Sequence, residues 1–419
     1  MSTDDRTVLL FGGKDATVDK ARALGLRVVL IQHPERMSAH QADRADSVLV
    51  DDYTDWPTAQ RLAEEALRKW RPDAIVSLTE AGLLPAARLA ELHALPGMPP
   101  AEVVARLGDK WRMREHLARH PSLALPFGAV GREEDLRSFG ERAGYPFIVK
   151  PRAGAAGLGV MRVSAARETR AVWRRVRELD GSRSDRKSRM FTLDGFFAEP
   201  MVPGPEFSVE TFSFAGRHVV VAVTEKTVSD AHFAELGHAV PARIGPADHD
   251  RIAATVRAFL DAVGLADGPT HTELRLGPDG PVVIESHPRI GGGCINELVL
   301  SAYGIDLASH TIARPFRLLP ELPDHPAPQA AACTLFIHRR PGVVTAVDGV
   351  QRLASRPEVL AAEVSVRPGD RVRPLRDNWD RLGLLAVTGP DTDTALTHCA
   401  RLLDEELLLR TRPEEEPGD

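Results

Sequence analysis

The stretch THTELRLGPDGPVVIESHPR, residues 270–289, combines a turn sequence with a cluster of charged side chains. Pro278-Asp279-Gly280 suits a three-residue hairpin loop, a type I turn closed by a glycine in the left-handed conformation. Such a loop pairs Gly277 with Pro281. The sequence therefore predicts two antiparallel strands joined by this turn.

Counting outward from that turn places charged residues directly opposite one another. Glu273 falls opposite Glu285, and His271 falls opposite His287. Side chains alternate between the two faces of a strand, so these residues share one polar face. The apolar residues of the other face are expected to pack in a core: Leu274, Leu276, Val282 and Ile284.

Two carboxylates that face each other across a sheet repel. One interpretation is structural: Arg275 or Arg289 clamps Glu273 and Glu285. The other is functional: a divalent cation, most naturally Mg²⁺, bridges both carboxylates and the phosphates of a nucleotide. The hairpin by itself leaves both interpretations open.

The composition is that of a soluble globular protein with several lobes. The 419 residues are 43% hydrophobic and 27% charged, with 5% aromatic residues and a net charge of −6, so nothing favours nucleic-acid binding. No apolar run approaches membrane length, and the start lacks the basic residues of a signal peptide. Three widely spaced cysteines favour a reducing compartment. A cytoplasmic protein without a membrane or nucleic-acid partner is expected.

Strand and helix signals alternate along the first ninety or so residues, which predicts a small parallel βαβ sheet. The breaker cluster PGMPP, residues 96–100, indicates a boundary, and Asp109 is predicted to cap the next helix. Residues 181–190 are expected to be a solvated loop, and residues 228–245 a long loop.

Three motifs occur in an order that is informative: GDKWRMREHL (108–117), YPFIVKPRAGAAGLGV (145–160) and FFAEPMVPGPEFSVE (196–210). Together with the hairpin, they resemble the ATP-grasp superfamily of carboxylate–amine ligases, and the similarity spans most of the chain. The resemblance implies ATP and Mg²⁺, or Mn²⁺, as cofactors.

The first two motifs carry the phosphate contacts that the resemblance implies. Lys110 and Lys150 match the two lysines of the family, and a flexible glycine-rich lid would cover the triphosphate. Glycines allow a backbone to approach phosphate oxygens closely. The lid residues assigned to nucleotide binding are Gly154, Ala155, Gly157, Leu158 and Gly159.

The third motif resembles the adenine hinge of the family. There the first glutamate and backbone groups hold the adenine edge, and a glutamate seven positions later holds the ribose hydroxyls. Glu199 and Glu206 have that spacing, with Met201 and Val202 between them.

The hairpin matches the family's Glu…Glu-x-Asn metal motif, which makes Glu273, Glu285 and His287 the implied metal ligands. His287 departs from the pattern, because asparagine is usual there. An imidazole is softer and can be protonated near neutral pH. Arg289, which follows, is implied to bind phosphate or the reacting oxyanion.

The stretch TEKTVSDAHFAELGHAVPARI (224–244) resembles the substrate loop of the L-amino-acid ligases, bacterial enzymes that form dipeptides. In that family a glutamate holds a substrate amino group and a histidine helps to stabilise the reacting carboxyl, which implies these roles for Glu235 and His238. The alternative for His238 is a solvated loop position. Glu80 is a candidate substrate-facing acid or a helix cap, and Arg289, Gly292 and Gly293 complete the implied substrate site.

The resemblance implies an ATP-grasp fold of mixed α/β and α+β character. The expected parts are a Rossmann-like domain (1–95), a subdomain with a mobile lid (96–200), a subdomain with the metal and substrate site (201–314) and a C-terminal α+β domain (315–419). The implied reaction forms an amide between an amino acid and a second amino acid or amine through an acyl phosphate, and a homodimer is expected.

Other functions stay open at this point. Another ATP-grasp ligase, purine-biosynthetic or similar to biotin carboxylase, shares most of these motifs. A non-catalytic nucleotide-binding protein whose metal site has decayed at His287 is a different class. An NAD-dependent enzyme rests only on LLFGGKDATVDKA (9–21), which lacks the spaced third glycine.

Overall fold

A computed structural model describes residues 6–154, 156–182, 192–230 and 232–413. The N-terminal part, as predicted, alternates strands with helices. Its elements are β1 (Thr7–Phe11), α1 (Asp15–Ala23), β2 (Arg27–Gln32), α2 (Ala39–Arg44), β3 (Ser47–Val50), α3 (Trp56–Trp70), β4 (Ala74–Val76) and α4 (Glu80–Leu92). The four strands form a parallel sheet in the order β3-β2-β1-β4.

A helical pair connects this sheet to the next: α5 (Ala101–Gly108) and α6 (Lys110–Leu117). Asp109 caps α6 as predicted, because its Oδ1 accepts hydrogen bonds from the backbone N–H groups of Trp111 (3.0 Å) and Arg112 (3.2 Å). This cap fixes the point at which α6 begins, and so it fixes the position of Lys110.

A second, antiparallel sheet follows. Its elements are β5 (Gly128–Val130), α7 (Glu133–Ala143), β6 (Phe147–Pro151), β7 (Met161–Val163), α8 (Thr169–Leu179) and β8 (Phe196–Pro200), with the strand order β5-β8-β6-β7. Residues 183–190 of the predicted loop lie outside the described part of the chain. The predicted lid, residues 154–159, falls between β6 and β7.

The largest sheet has eight antiparallel strands. Its first elements are β9 (Glu206–Phe214), β10 (Arg217–Val228), β11 (Glu235–Val240), α9 (Pro246–Val263), β12 (Gly268–Gly277), β13 (Gly280–His287), α10 (Ile295–Tyr303) and α11 (Leu307–Ala313). The expectation of a long loop over 228–245 is wrong in part, because β11 lies within it. That strand pairs with β10 on one side.

The C-terminal elements extend the same sheet. They are β14 (Ala331–Ile337), β15 (Gly342–Asp348), α12 (Val350–Ala354), β16 (Val359–Val364), β17 (Arg371–Val372), β18 (Gly383–Gly389), α13 (Thr392–Glu406) and β19 (Leu408–Arg412). The strand order is β13-β12-β9-β10-β11-β14-β18-β16, and β17, β15 and β19 form a small separate sheet. Strands from both sides of the predicted boundary at residue 314 are therefore hydrogen-bonded within the same large sheet.

Packing also crosses the predicted boundary at residue 200. Val103 and Met113, from α5 and α6, are buried against Val256 and Phe259 of α9 and against Leu274 of β12. The helical pair is thus part of the core beneath the large sheet. Among the described helices, none combines the length and apolar composition that crossing a bilayer requires.

The N-terminal sheet is held against the rest of the chain by α11. Ala308 and Ile312 pack into its core beside Val18 of α1, and Lys20 forms an ion pair with Asp306, the residue that caps α11. This docking brings the start of α4 next to the end of β13.

Candidate active site

The hairpin forms, but its turn is shorter than predicted. Gly277 pairs with Gly280 across a two-residue turn, and not with Pro281. A β-bulge at Ile284 then shifts the register by one residue. The two differences cancel, so that Glu273 lies opposite Glu285 and His271 opposite His287, as predicted.

The bulge also changes which side chains enter the core. Val283 packs with Leu274 beneath the sheet. Val282 and Ile284 were expected in that core, but Ile284 lines a cleft on the opposite side, beside Glu273 and Glu285. The inserted residue reverses the alternation, since a one-residue slip moves side chains to the other face.

That cleft has an empty volume of about 890 Å³, counted out to its open mouth, which is within the range of small-molecule sites. Most residues predicted to bind nucleotide meet in it. The predicted residues on its wall are Lys110, Lys150, Gly154, Gly157, Leu158, Glu199, Met201, Val202, Glu206, Glu235, Glu273 and Glu285.

A second set of predicted residues does not line this wall in the described structure: Glu80, Gly159, His238, His287, Arg289, Gly292 and Gly293. Several of them join the wall residues through direct contacts that are given below. Ala155 lies outside the described residues. Gly154, Gly157 and Gly159 of the predicted lid all have positive φ angles, of +138°, +72° and +71°, which explains glycine at these positions.

The cations that neutralise the two opposed carboxylates are lysines. Lys110 Nζ lies 3.1 Å from Glu285 Oε2, and Lys226 Nζ lies 2.8 Å from Glu273 Oε1. Neither arginine of the hairpin clamps the pair: Arg275 donates to the carbonyl of Gly204, and Arg289 reaches a different carboxylate, described below. The structural alternative named an arginine clamp, and two lysines contact the carboxylates instead.

Lys226 was missed by sequence reasoning and is central to the site. Its Nζ also lies 3.0 Å from Glu206 Oε1 and 3.1 Å from Glu235 Oε1, and the residue is buried. Burial alone would lower the pKa of this lysine, but the carboxylates outweigh burial and raise its pKa well above the ordinary value. A lysine within the buried strand β10 was the available signal.

The opposed carboxylates stay ionised because neighbouring lysines outweigh the effect of burial on their pKa values. Burial alone would raise the pKa of Glu273, but Lys226 outweighs it despite the repulsion of Glu285, and the pKa falls to about 2. For Glu285, Lys110 outweighs burial and holds the pKa well below its usual value. Both side chains are therefore anionic at neutral pH.

Glu199 is held more tightly than the hinge prediction implies. Its two oxygens lie 2.9 Å from Nε of Arg114 and 2.6 Å from Nζ of Lys150, and it is 2% exposed. Arg114 was also missed, although it lies four residues after Lys110 and therefore on the same face of α6. Its other nitrogens donate to the carbonyls of Val283 and Ile284, so the helix is fastened to the metal-motif strand.

His287, the third predicted metal ligand, lies between two carboxylates. Its Nε2 lies 3.1 Å from Glu285 Oε1, and its Nδ1 lies 2.9 Å from Glu80 Oε2. Among the described residues, no set of three His, Cys, Asp or Glu side chains is placed to hold a metal ion. His287 thus bridges Glu285 and Glu80, and the metal-binding roles of Glu273, Glu285 and His287 stay predictions.

Glu80 is the first residue of α4, so the cap of this helix is Thr79 and the capping alternative is wrong. Its carboxylate accepts a hydrogen bond from Arg289 Nε at 2.6 Å. Burial would raise the pKa of Glu80, but His287 and Arg289 outweigh it and hold the pKa below its usual value. Glu80 and Arg289 thus form an ion pair between the N-terminal sheet and the end of the hairpin.

The other histidine of the pair, His271, lies between two carboxylates. Its Nδ1 is 2.9 Å from Glu210 Oε1, and its Nε2 is 3.2 Å from Glu273 Oε1. Burial would lower its pKa, but Glu210 outweighs it and raises the pKa to about 9. His271 is therefore a buried imidazolium that orients Glu273.

The predicted substrate residues lie on β11, beside the cleft. Glu235 contacts Lys226 and, through Oε2, Nη1 of Arg381 at 3.1 Å. His238 is 2% exposed, with its Nε2 3.5 Å from Glu235 Oε2. Since the ring is buried, the solvated-loop alternative is wrong for His238. Arg381 comes from the C-terminal part, and no sequence signal pointed to it.

Two of the three glycines that follow the hairpin allow close packing. A Cβ on Gly291 would lie 2.9 Å from His271 Nδ1, and one on Gly293 would lie 2.9 Å from His238 Cε1, whereas Gly292 faces open space. Cys294 follows at the start of α10 with a φ of +68°. The glycines allow the backbone to pass between the two histidines.

Three parts of the chain match known protein domains. Residues 18–97 match the ATP-grasp N-terminal domain, residues 143–297 the ATP-grasp domain and residues 334–405 the L-amino acid ligase C-terminal domain 2. Carnosine synthase 1 of Gallus gallus is 29% identical over 83% of this chain and 40% of its own length. The L-arginine-specific L-amino acid ligase of Bacillus subtilis is 26% identical over 64% of this chain and 63% of its own length. The chain thus spans between two fifths and two thirds of these relatives.

Among solved structures, an L-amino acid ligase from Bacillus licheniformis superposes with a TM-score of 0.80 at 24% identity, over 97% of this chain and 99% of that one. The predicted fold class is therefore confirmed.

Proposed function

We propose that the chain joins an amino acid to a second amino acid or a small amine, with ATP as the energy source, because its residues match the ATP-grasp domain, the ATP-grasp N-terminal domain and the L-amino acid ligase C-terminal domain 2. The observation that carries the proposal is one cleft in which two lysines, the opposed carboxylate pair and the glycine-rich segment meet. The products would be an amide, ADP and phosphate.

The cleft offers a binding surface for each part of ATP. Lys110 and Lys150 provide positive charge for the phosphates, under the glycine-rich segment 154–159. Glu206 would accept hydrogen bonds from the ribose hydroxyls, and the hinge around Val202 would hold the adenine. Glu199 then acts mainly as the anchor of Lys150, given the 2.6 Å contact between them.

The donor set fits a divalent cation of the Mg²⁺ type. Glu273 and Glu285 are hard oxygen ligands, both anionic, on adjacent positions of paired strands. They would hold the ion, which when bound neutralises charge on the phosphates.

The chemistry would proceed in two steps. A substrate carboxylate oxygen attacks the γ-phosphorus of ATP, and the bond to the β-phosphate oxygen breaks to release ADP. The nitrogen of the second substrate, as the free amine, then attacks the acyl carbon. The carbon–oxygen bond breaks, phosphate leaves with its electron pair, and the nitrogen loses a proton to give the amide. Positioning and charge neutralisation dominate phosphoryl transfer, which Lys110 and Arg289 would supply.

The second step needs donors to the developing oxyanion and protection from water. Arg289 and His238 are the candidate donors, since both lie beside the end of the hairpin. Glu235 would hold the substrate ammonium as an anion: its pKa lies well below the usual value because Lys226 outweighs burial. A closed segment 154–159 would keep water from the acyl phosphate.

A coupled assay of ADP release with Mg-ATP and pooled amino acids tests the proposal, followed by mass spectrometry of the products. We expect ADP release to depend on the amine and a new mass equal to two substrates less one water. ADP release that never depends on an added amine would contradict the proposal.

A further inference from the structure

We propose that Arg381 forms a subsite for the carboxylate of the amino acid that supplies the amine. This subsite presupposes the ligase function proposed above and narrows its second substrate to an α-amino acid with a free carboxylate. Arg381 lies just before β18, far in sequence from every motif used so far.

The guanidinium of Arg381 is held in one plane and one position. Its Cζ lies 3.7 Å from the centroid of the Phe336 ring, its Nε donates to the carbonyl of Asn378 at 2.9 Å, and its Nη1 donates to Glu235 Oε2 at 3.1 Å. An arginine stacked on an aromatic ring and fixed at two nitrogens loses little further freedom on binding. It is therefore prepared to receive an anion.

One donor group of this arginine is left over. Within the described part of the chain, Nη2 of Arg381 has no hydrogen-bond acceptor, and the side chain is 18% exposed. The N–H groups of this nitrogen can donate a charge-assisted hydrogen bond to a carboxylate oxygen. Glu235, its neighbour, lines the cleft, so a ligand carboxylate can reach the arginine from that side.

The charges of the site suggest places for two amino acids. Arg289 is paired with Glu80, and Arg381 is paired with Glu235. Each pair presents an arginine for a carboxylate and a glutamate for an ammonium, which are the two charges of one amino acid. The acyl donor loses its carboxylate charge in the reaction, whereas the amine donor keeps its own throughout and needs a permanent cation.

A buried polar group without a partner independently indicates a ligand at this place. His238, 2% exposed, makes no hydrogen bond through Nδ1 within the described residues, while its Nε2 lies 3.5 Å from Glu235 Oε2. Its ring packs against Phe336, with centroids 5.1 Å apart, and so lies on the same aromatic side chain as Arg381. A buried nitrogen without a partner is costly, and a substrate would satisfy it.

The segment that carries Arg381 also contacts the glycine-rich lid. Asn378 N–H donates to the carbonyl of Ala156 at 3.1 Å, and Asn378 Oδ1 accepts from the backbone N–H of Glu235 at 2.8 Å. Through Asn378, the C-terminal part thus contacts both the predicted lid and β11, the strand that carries Glu235.

The test compares one amine donor in two forms, the free amino acid and its carboxamide, with the wild type and Arg381→Met. Methionine keeps an unbranched apolar stem on Phe336 and removes the charge. Arg373→Met, on the exposed surface of the same C-terminal part, is the matched control. The measurement is the KM for each amine donor, with the KM for ATP determined in parallel.

We expect Arg381→Met to raise the KM for the free amino acid about 10- to 100-fold, to change that for the carboxamide less than threefold and to leave that for ATP unchanged. Equal changes for both amine donors would overturn the subsite, since Arg381 would then act only by positioning Glu235. Calorimetric titration of the free amino acid gives a second readout: equal affinity of wild type and Arg381→Met overturns the subsite even without turnover. Absence of turnover in the wild type would instead contradict the ligase function.

Discussion

Replacing His271 by glutamine tests the charge network of the site through its dependence on pH. The imidazole lies between Glu210 and Glu273, and its pKa rises from the ordinary 6.5 to about 9. At about 1.4 kcal/mol for each tenfold change in proton affinity, the protonated ring contributes about 3 kcal/mol to the free energy of unfolding. The replacement removes this contribution.

The sign of the pH dependence follows from the raised pKa. A group that binds its proton more tightly in the folded chain stabilises fully below the unfolded pKa, and that stabilisation is lost as the pH rises through the folded pKa. The wild type should therefore exceed His271→Gln by about 3 kcal/mol at pH 6, and the difference should decline between pH 6.5 and 9 and be small near pH 10.

Chemical denaturation of both proteins from pH 6 to 10 measures this difference. His249→Gln is the matched control, because the side chain of His249 is 48% exposed, and we expect no comparable pH-dependent loss. Spectra of protein with isotope-labelled histidine should contain one resonance that titrates near pH 9 and is missing from the variant. A stability difference that does not change with pH, or a His271 resonance that titrates near 6.5, would refute the reasoning.

Three further replacements test other parts of the site. Lys226→Met leaves three carboxylates, each 15–18% exposed, without their shared cation. The free energy of unfolding should therefore fall by about 3–5 kcal/mol, against less than about 1 kcal/mol for the exposed Lys69→Met. Similar losses for the two variants in chemical denaturation would contradict this role. Glu285→Gln should lower kcat for ADP release about 100-fold or more with an unchanged circular dichroism spectrum, and retained turnover would remove it from the site. Gly293→Ala places a Cβ 2.9 Å from His238 Cε1 at a φ of +60°. We therefore expect the free energy of unfolding, measured by thermal unfolding, to fall by about 1–3 kcal/mol. A variant as stable as the wild type would show that the contact relaxes.

The hairpin shows how far the sequence could be read and where it could not. Alternation and the turn residues placed Glu273 opposite Glu285, but the turn has two residues where three were predicted, and a bulge at Ile284 compensates. Several short turns suit the same residues, and a bulge leaves little signature in one sequence. The pairing of Glu273 with Glu285 was therefore predicted correctly although the register near the turn was not. As a result, Ile284 was wrongly assigned to the core, whereas Leu274 and Leu276 do pack there.

The predicted site residues were found through local motifs, and the missed ones act across the fold. Lys110, Lys150 and Glu199 stand in recognisable stretches, and the structure brings them together. Lys226 and Arg381 were missed because a charged residue in a strand or loop gains meaning only when its distant partners are known. Arg114 is intermediate, since helical spacing from Lys110 would have placed it on the correct face.

The buried ammonium of Lys226 contacts carboxylates from both the predicted nucleotide half and the predicted amino-acid half of the site. Lys226 meets Glu206 at the predicted ribose position, Glu273 of the carboxylate pair and Glu235 of the substrate strand, at 2.8 to 3.1 Å. The three carboxylates come from three strands, β9, β12 and β11. An ammonium can direct its three N–H groups to three separate acceptors, whereas a guanidinium donates within one plane. A lysine therefore suits position 226, because its one ammonium group positions the carboxylates of both halves of the site.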